Sequence, residues 1–431
     1  MIFHIDGNSF YAACERVFRP DLVHSPIAVL TNNDGIIIAL NAECKALGFK
    51  RGDVFFEVKE KLEKSGVSVF SSNYTLYADM SARMNLIYNR FAPDVEVYSI
   101  DESFLFFPDW NNTDYSELGH EVKTAVTRET GIPVSIGIAP NKVLAKMCNK
   151  LAKRQGGSAA GEGVYDWARV DQDEELGKYP VDDIWGIGWS KAAFLKKQGV
   201  TTALALKHYP LEKAKKHMTI TGMRIVQELN GIKAIDRIEE APRQVVMVSK
   251  SFHKPVYELN NIIAALAEYT QEAVKRIRAE NLSCRFVSVY LMTNAYAQGE
   301  QYFNQCSAEL PYLSAYLPEI QAAANELLKR IFRPNYKYRK VMVGLTGLEF
   351  DKNSQLDLFN IGLNRKIIKE PLMQAFDAIN DRYGSGTIKL GCALSKMNKE
   401  QRANNNEAWR MKRGCLSPKY TTNIREIPRV Y

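Results

Sequence analysis

The chain begins on a short apolar run of strand character, MIFHID, and passes into a helix-like stretch, NSFYAACERVF, that Pro20 ends. SPIAVLTNNDGIIIAL predicts a hairpin turning at Asn33, Asp34 and Gly35, and NAECKALGF a short helix closed by Gly48. A Lys/Glu-rich helical segment follows. VEVYSIDESFLFF, residues 95–107, then has the composition of paired strands, interrupted by adjacent carboxylates at Asp101 and Glu102. A helix near 114–130, the strand VSIGIA and the helix NKVLAKMCNKLAKR complete this part. With an insertion at about 13–70 set aside, the order is β-α-β-β-α-β followed by a further helix, the ferredoxin-like or palm pattern of an α+β fold. Such an order fixes no function by itself.

PVDDIWGIGWSKAAFLKKQGVTT opens a compact helical unit that runs to about residue 232. Residues 233–244, KAIDRIEEAPRQ, are charged and lack an apolar period, which predicts a tether. From 245 the first pattern returns: strand VVMVSKSF, a helix over 258–280, strands RFVSVYLMT and QYFNQCSAEL, a helix over 314–333 and strand KVMVGLTGLEF. This is a second β-α-β-β-α-β module. Residues 351–431 are Asn-rich and basic and predict little regular structure.

Charge divides the chain along the same lines. Residues 1–185 carry 19 Lys and Arg against 27 Asp and Glu, whereas the remainder carries 38 against 22, for a net charge of +8 overall. A basic surface spread over several modules fits a polyanion such as nucleic acid, although a solvated surface has the same signature. Seven cysteines without a CxxC pair predict neither a disulfide framework nor a zinc site, in keeping with a reduced interior. A charge arrives at Asp6 and no run approaches the roughly 18 apolar residues of a spanning helix, so neither secretion nor membrane insertion is expected.

Acidic residues are depleted from strands, so the Asp101-Glu102 doublet either sits solvated at a tight turn or serves a cation. Asp6 favours the cation, because it ends the first strand of the same module and in a palm that strand lies beside the hairpin. Two such charges about 4 Å apart repel by roughly 4 kcal/mol at an effective dielectric near 20, and a cation offsets that repulsion. Oxygen donors with no nearby His or Cys point to Mg²⁺, with Mn²⁺ as the alternative. Two such ions activate a 3′-hydroxyl, bind a triphosphate and stabilise the leaving pyrophosphate, which is nucleotidyl transfer. Asp101 and Glu102 point to opposite faces of an ideal strand, so both reach metal only if the backbone turns or bulges between them.

IDGNSFYAACE, NAECKALG, SSNYTLYADMS, YSIDESF, GIAPNKVLAK and VDDIWGIG resemble, in order, the signatures of the Y-family translesion DNA polymerases. The tail WRMKRGCLSPKYTT resembles that of the UmuC branch, the catalytic subunits of bacterial DNA polymerase V. The resemblance covers nearly the whole chain and implies a right-hand architecture. Its parts are a palm (1–12 and 71–165), small fingers (13–70), a thumb with a helix-hairpin-helix (166–232), a linker (233–244), a little finger (245–350) and a tail (351–431).

Position by position, the resemblance makes Asp6, Asp101 and Glu102 the catalytic metal ligands, with the Gly7 carbonyl assisting. Asp101 would bridge both ions and Glu102 serve mainly the one at the 3′-hydroxyl. It makes Tyr11 the steric gate beneath the incoming sugar, Phe10 its neighbour in the nucleotide pocket, and Lys45 and Lys153 the cations facing the triphosphate. Ala39 and Ala42 stand where the wider family offers a hydroxyl and a Tyr. Gly186 and Gly188, with Lys191, Lys196 and Lys197 after them, resemble a helix-hairpin-helix that holds a DNA phosphate. QLDLF, spanning Gln355, Leu356, Asp357, Leu358 and Phe359, looks like a bacterial sliding-clamp peptide.

The implied function is low-fidelity, template-directed DNA synthesis past damaged bases in the SOS response, without proofreading, on primer-template DNA with dNTPs. The small fingers would leave the nascent pair loosely enclosed. A UmuD-type subunit and the RecA filament are the implied partners, and a bacterial, nucleoid-associated cytoplasm the implied place. Two alternatives are a palm-type nucleotide cyclase, which needs no thumb or clamp peptide, and a catalytically inactive accessory protein that docks on the clamp. The presence of all three acids and Tyr11 argues against the second.

Overall fold

In a computed structural model of the chain, the opening run becomes β1 (Ile2–Gly7), the middle strand of a five-stranded sheet. The structure describes all residues except 109, 111–112, 156–162, 238–241, 351–360, 385, 394–411 and 428–431, and except the side chains of 155, 361–369 and 424. Two units are present, Met1–Glu239 with Arg413–Tyr431, and Glu240–Lys412.

In the first unit β1 is followed by α1 (Phe10–Val17), β2 (Ile27–Leu30), β3 (Ile37–Leu40), α2 (Ala42–Ala46), α3 (Phe55–Lys64), β4 (Ser68–Ser71) and α4 (Tyr74–Phe91). Then come β5 (Asp94–Val97), β6 (Glu102–Phe106), α5 (Tyr115–Thr130), β7 (Val134–Ala139), α6 (Lys142–Gln155) and β8 (Val164–Asp166). The helices α7 (Gln172–Lys178), α8 (Trp189–Lys197), α9 (Ala203–Lys207) and α10 (Leu211–Leu229) complete it. The main sheet has the order β5-β6-β1-β7-β8, and a small sheet, β3-β2-β4, holds the predicted hairpin. Asn33 and Asp34 turn that hairpin at positive φ, 65° and 49°.

Both faces of β1 are covered, which explains its near-continuous apolar run. Phe3 and Ile5 enter a core shared with α1, α4 and α5, and Ile2 enters one shared with α6 and the following helices. α6 lies so close on β7 that a Cβ at Gly137 would stand 2.2 Å from the Ala145 carbonyl oxygen and the Asn149 nitrogen. From α6 the Asn149 amide donates to the carbonyls of His4 (3.0 Å) and Ser135 (2.6 Å), on the two strands beneath.

The second unit runs β9 (Val245–Val256), α11 (Leu259–Ala279), β10 (Leu282–Thr293), β11 (Phe303–Ser314), α12 (Leu317–Ile331) and β12 (Tyr338–Phe350). Its sheet is antiparallel in the order β11-β10-β12-β9. The two modules therefore share element order but not pairing: the first strand is central in one sheet and at the edge of the other. Element order leaves that choice open.

Two expectations are corrected. The predicted tether is docked along 233–237: Glu228 accepts the Ile235 N–H (2.8 Å), Lys142 donates to the Asp236 carbonyl (2.9 Å), and Arg237 pairs with Asp94 over the Phe106 ring. These polar groups find buried or aromatic partners that composition does not reveal. The tail contains a long helix, α13 (Ile361–Tyr383), whose later part packs in the second unit through Met373 and the Asp377 to Arg278 pair (2.8 Å). Residues 414–420 lie against the first unit, with Tyr420 buried. No helix among the described residues is long and apolar enough to cross a membrane.

Gly137→Ala forces a methyl into backbone, and we expect it to destabilise the first unit by about 3 kcal/mol or more, read from the urea unfolding midpoint.

Candidate active site

Asp6 of β1 is directly opposite Glu102 of β6 in the strand register. Opposite residues project to the same face of a sheet, and here α6 lies over that face. Lys153 Nζ stands 2.6 Å from Asp6 Oδ2, and Lys146 Nζ 3.3 Å from Glu102 Oε1. Asp101 lies in the turn before β6, so the doublet is divided between turn and strand. Its carbonyl accepts the Gly7 N–H (2.9 Å), and its carboxylate accepts from Ser99 Oγ (2.7 Å). Ser99 Oγ in turn accepts the N–H groups of Asp101 (3.3 Å) and Glu102 (3.1 Å), which fixes the turn.

Burial pushes the Asp6 carboxyl up to about 6, reinforced by the charges of Glu102 and Asp101 and opposed by Lys153. Burial also pulls Glu102 upward, but His4 and the Lys146 ammonium outweigh it and hold that carboxyl down at about 2. His4 corrects the expectation of a donor set without nearby histidine. Its Nε2 lies 3.5 Å from Glu102, a long contact, and burial lowers its pKa to about 4, so it is neutral near pH 7. Among the described residues no group of three His, Cys, Asp or Glu side chains is arranged to hold a metal ion. Instead, a lysine ammonium stands against each of Asp6 and Glu102. Carboxylate oxygens gathered where cations are already drawn suit a hard divalent ion.

Tyr11 projects from α1. Its ring stacks on that of Tyr77 (4.4 Å between centroids, 16°) and meets Tyr74 edge-on at 6.0 Å. Phe10 is buried in the core, 5.9 Å from the Tyr11 ring. Lys45 is exposed on the short α2, which begins at Ala42, while Ala39 lies on β3. No ion pair to Lys45 is present among the described residues. In the helical part, Gly186 has φ +86°, a conformation that favours glycine, and Lys191 Nζ donates to its carbonyl (3.2 Å). Gly188 precedes α8 with no side-chain cap, so the first N–H groups of that helix have no side-chain acceptor there. Gln355–Phe359 lie outside the described residues.

Sequence reasoning missed Lys146, Ser99 and the two tyrosines around Tyr11. Lys146 Nζ lies over the rings of Tyr98 (4.1 Å) and Trp185 (4.9 Å). Its signal was present: Lys142, Lys146, Lys150 and Lys153 recur at helical spacing. Such a stripe normally means a solvated face, yet Lys142 is buried and paired with Glu96 (2.7 Å).

Residues 5–150 match the impB/mucB/samB family and residues 243–358 the C-terminal domain of that family. Protein UmuC of Salmonella typhimurium is 36% identical over 430 residues, which is 99% of each chain. The chain belongs to the impB/mucB/samB family, the UmuC branch of the Y-family DNA polymerases. Protein MucB of Escherichia coli is 35% identical over 428 residues, and DNA polymerase IV of Bacillus velezensis 28% identical over 409. A Y-family polymerase chimera of Dbh and Dpo4 shares the fold of this polymerase, with a TM-score of 0.65 and 19% identity over 81% of this chain and 99% of that one. Residues 370–430 match a domain of unknown function (DUF4113). Y-family DNA polymerases use divalent metals and act on DNA with deoxynucleotides.

In a carbon-13 titration of the polymerase, we expect the Asp6 carboxyl to ionise near pH 6, and Lys153→Met to move that midpoint upward by removing the opposing cation. Because its folded pKa exceeds the ordinary 3.8, Asp6 contributes stability below that value that is lost as pH rises through about 6.

Proposed function

We propose that this polymerase extends a primer 3′ end on a DNA template, past damaged bases and without proofreading, using Asp6, Asp101 and Glu102 as ligands of two Mg²⁺ ions, with Mn²⁺ as a substitute. The observation that carries the reading is the facing pair Asp6 and Glu102 beneath α6, with Tyr11 on the helix after β1. The bound ions would supply activation of the 3′-hydroxyl and neutralisation of the triphosphate. Every other step belongs to the chain. Asp6, whose carboxyl burial pushes up to about 6, and Glu102, held down at about 2, would bind cations in place of Lys153 and Lys146. Lys153 would then turn to the triphosphate, together with Lys45. The Gly7 carbonyl would add an oxygen beside Asp6, and Ser99 would hold the turn of Asp101 rigid.

Tyr11 would lie under the sugar of the incoming nucleotide, where a 2′-hydroxyl collides with its ring, and Phe10 would back it from the core. The palm (1–12 and 71–165), fingers (13–70), thumb (166–232), little finger (245–350) and tail (351–431) are the parts we assign to this cycle. In the thumb, Gly186, Gly188 and Lys191 would hold a backbone phosphate without reading sequence. The little finger would lay its sheet along the duplex backbone. Gln355–Phe359 would dock on a bacterial sliding clamp, and a UmuD-type subunit and the RecA filament would complete the enzyme in the nucleoid during the SOS response. No observation favours the cyclase or the inactive accessory protein.

Primer extension with dNTPs and Mg²⁺ tests the reading. Asp101→Asn is expected to lower kcat at least about a hundredfold, as expected when preorganised charge stabilisation is lost. Template-independent activity, or full activity in the variant, would overturn it. Tyr11→Ala is expected to raise ribonucleotide incorporation about a hundredfold relative to deoxynucleotide, the scale on which a shaped pocket rejects one hydroxyl.

A further inference from the structure

Residues 413–427 belong to the first unit, although the residues before them belong to the second. This segment is bonded to the first unit at successive points. Gly414 N–H donates to Asp34 Oδ2 (2.7 Å), Cys415 N–H to Ser71 Oγ (3.0 Å), and Ser71 N–H to the Cys415 carbonyl (2.8 Å). Asn73, the residue that caps α4, donates to Ser417 Oγ (2.9 Å) and to the Pro418 carbonyl (3.2 Å). Farther on, the Tyr420 ring stacks on Phe18 (4.7 Å, 10°) just after α1.

Ser417 reaches the site through one buried group. Its hydroxyl donates to Glu15 Oε1 (3.1 Å), the same oxygen that accepts from the Tyr77 hydroxyl (2.7 Å). Glu15 is fully buried, its other carboxylate oxygen has no partner among the described residues, and it stands four residues after Tyr11 on α1. The Tyr77 side chain is thus held at both ends, with its ring against Tyr11 and its hydroxyl on Glu15. Burial pushes the Glu15 carboxyl up to about 7, opposed by these two hydroxyls. A buried carboxylate that shares one oxygen between two donors is oriented by both.

We infer that Ser417, acting through Glu15 and Tyr77, is a positioning residue for Tyr11, so that the C-terminal segment sets how strongly the polymerase rejects ribonucleotides. The inference rests on the proposal that Tyr11 is the steric gate. It gives part of the domain of unknown function matched at 370–430 a role inside the catalytic unit. A gate excludes a 2′-hydroxyl only while its ring cannot retreat. Tyr77 is the wall behind that ring, and its freedom is limited by the hydroxyl contact with Glu15.

Single-nucleotide incorporation by the full-length polymerase, measured with dNTP and with rNTP, tests this. Ser417→Ala and Tyr77→Phe are each expected to raise the rNTP to dNTP ratio of kcat/KM about fivefold, the scale of one lost hydrogen bond. Ser417→Thr, which keeps the hydroxyl, is expected to restore the wild-type ratio. Leu416→Ala, at an exposed neighbour in the same segment, is expected to leave it unchanged. A purely structural strap would lower both incorporations together. An unchanged ratio in Ser417→Ala and Tyr77→Phe, alongside an opened gate in Tyr11→Ala, would overturn the relay alone. If Tyr11→Ala itself leaves the ratio unchanged, the gate assignment fails and the relay falls with it. Tyr77→Phe keeps the test decisive should Ser417→Ala fold poorly, because it removes only the hydroxyl at the far end of the same chain of bonds.

Discussion

Much of the first unit depends on how closely α6 approaches β7. With no side chain at Gly137, the helix backbone comes within a distance that a methyl group would fill, and Asn149 bonds the helix to both β1 and β7. That contact puts one face of α6 over the ends of β1 and β6, where Asp6 and Glu102 stand opposite each other. Lys146 and Lys153, seven residues apart on the helix, then fall one on each carboxylate. A helix held farther off would leave these lysines in solvent and the two acids facing each other with less compensation.

The same helix is anchored at its start. Buried Glu228 accepts the Val143 N–H (2.8 Å) and the N–H groups of Ala234 and Ile235, and the Asn141 amide donates to the Glu228 carbonyl (2.7 Å). Negative charge at a helix N-terminus satisfies free N–H groups and opposes the positive end of the dipole. Because Glu228 lies on α10, these bonds join the helical part to the helix that carries the site's lysines. Lys142, buried against Glu96 and the Asp236 carbonyl, adds the first turn of the chain beyond α10 to the same junction. Buried ion pairs of this sort contribute little net stability but are costly to break at one partner. They restrict the geometry of the junction.

Charge is distributed in agreement with this arrangement. The acidic excess of residues 1–185 includes the three carboxylates of the site, while the local lysines of α6 offset part of it. Neutralisation is incomplete: Asp6 is pushed up toward about 6 while Glu102 is held near 2, although they are opposite each other. The difference follows from surroundings. Asp6 is held by one lysine against heavier burial, whereas Glu102 has both Lys146 and the His4 ring beside a less buried carboxylate.

Much of the order of elements was legible in the sequence, because apolar period, Pro20 and the turn residues Asn33, Asp34 and Gly35 are local signals. The candidate acids and Tyr11 were singled out by ordered motifs rather than by spacing. Less local features were not legible. The tether at 233–237 is docked because Glu228, Lys142 and Asp94 supply partners far away in sequence. The second module pairs its strands differently from the first, since the same period-two pattern is compatible with either neighbour. Lys146 is marked in the sequence only by its helical spacing from other lysines, and nothing around Ser417 signals that it reaches Glu15, 402 residues away. By itself, the sequence determined the residue types available for chemistry and the local elements that carry them, since both follow from short-range preference. Only the tertiary structure decided which charges meet, how the Asp101-Glu102 doublet divides between turn and strand, and what stands behind Tyr11, because those depend on long-range contacts that no local pattern encodes.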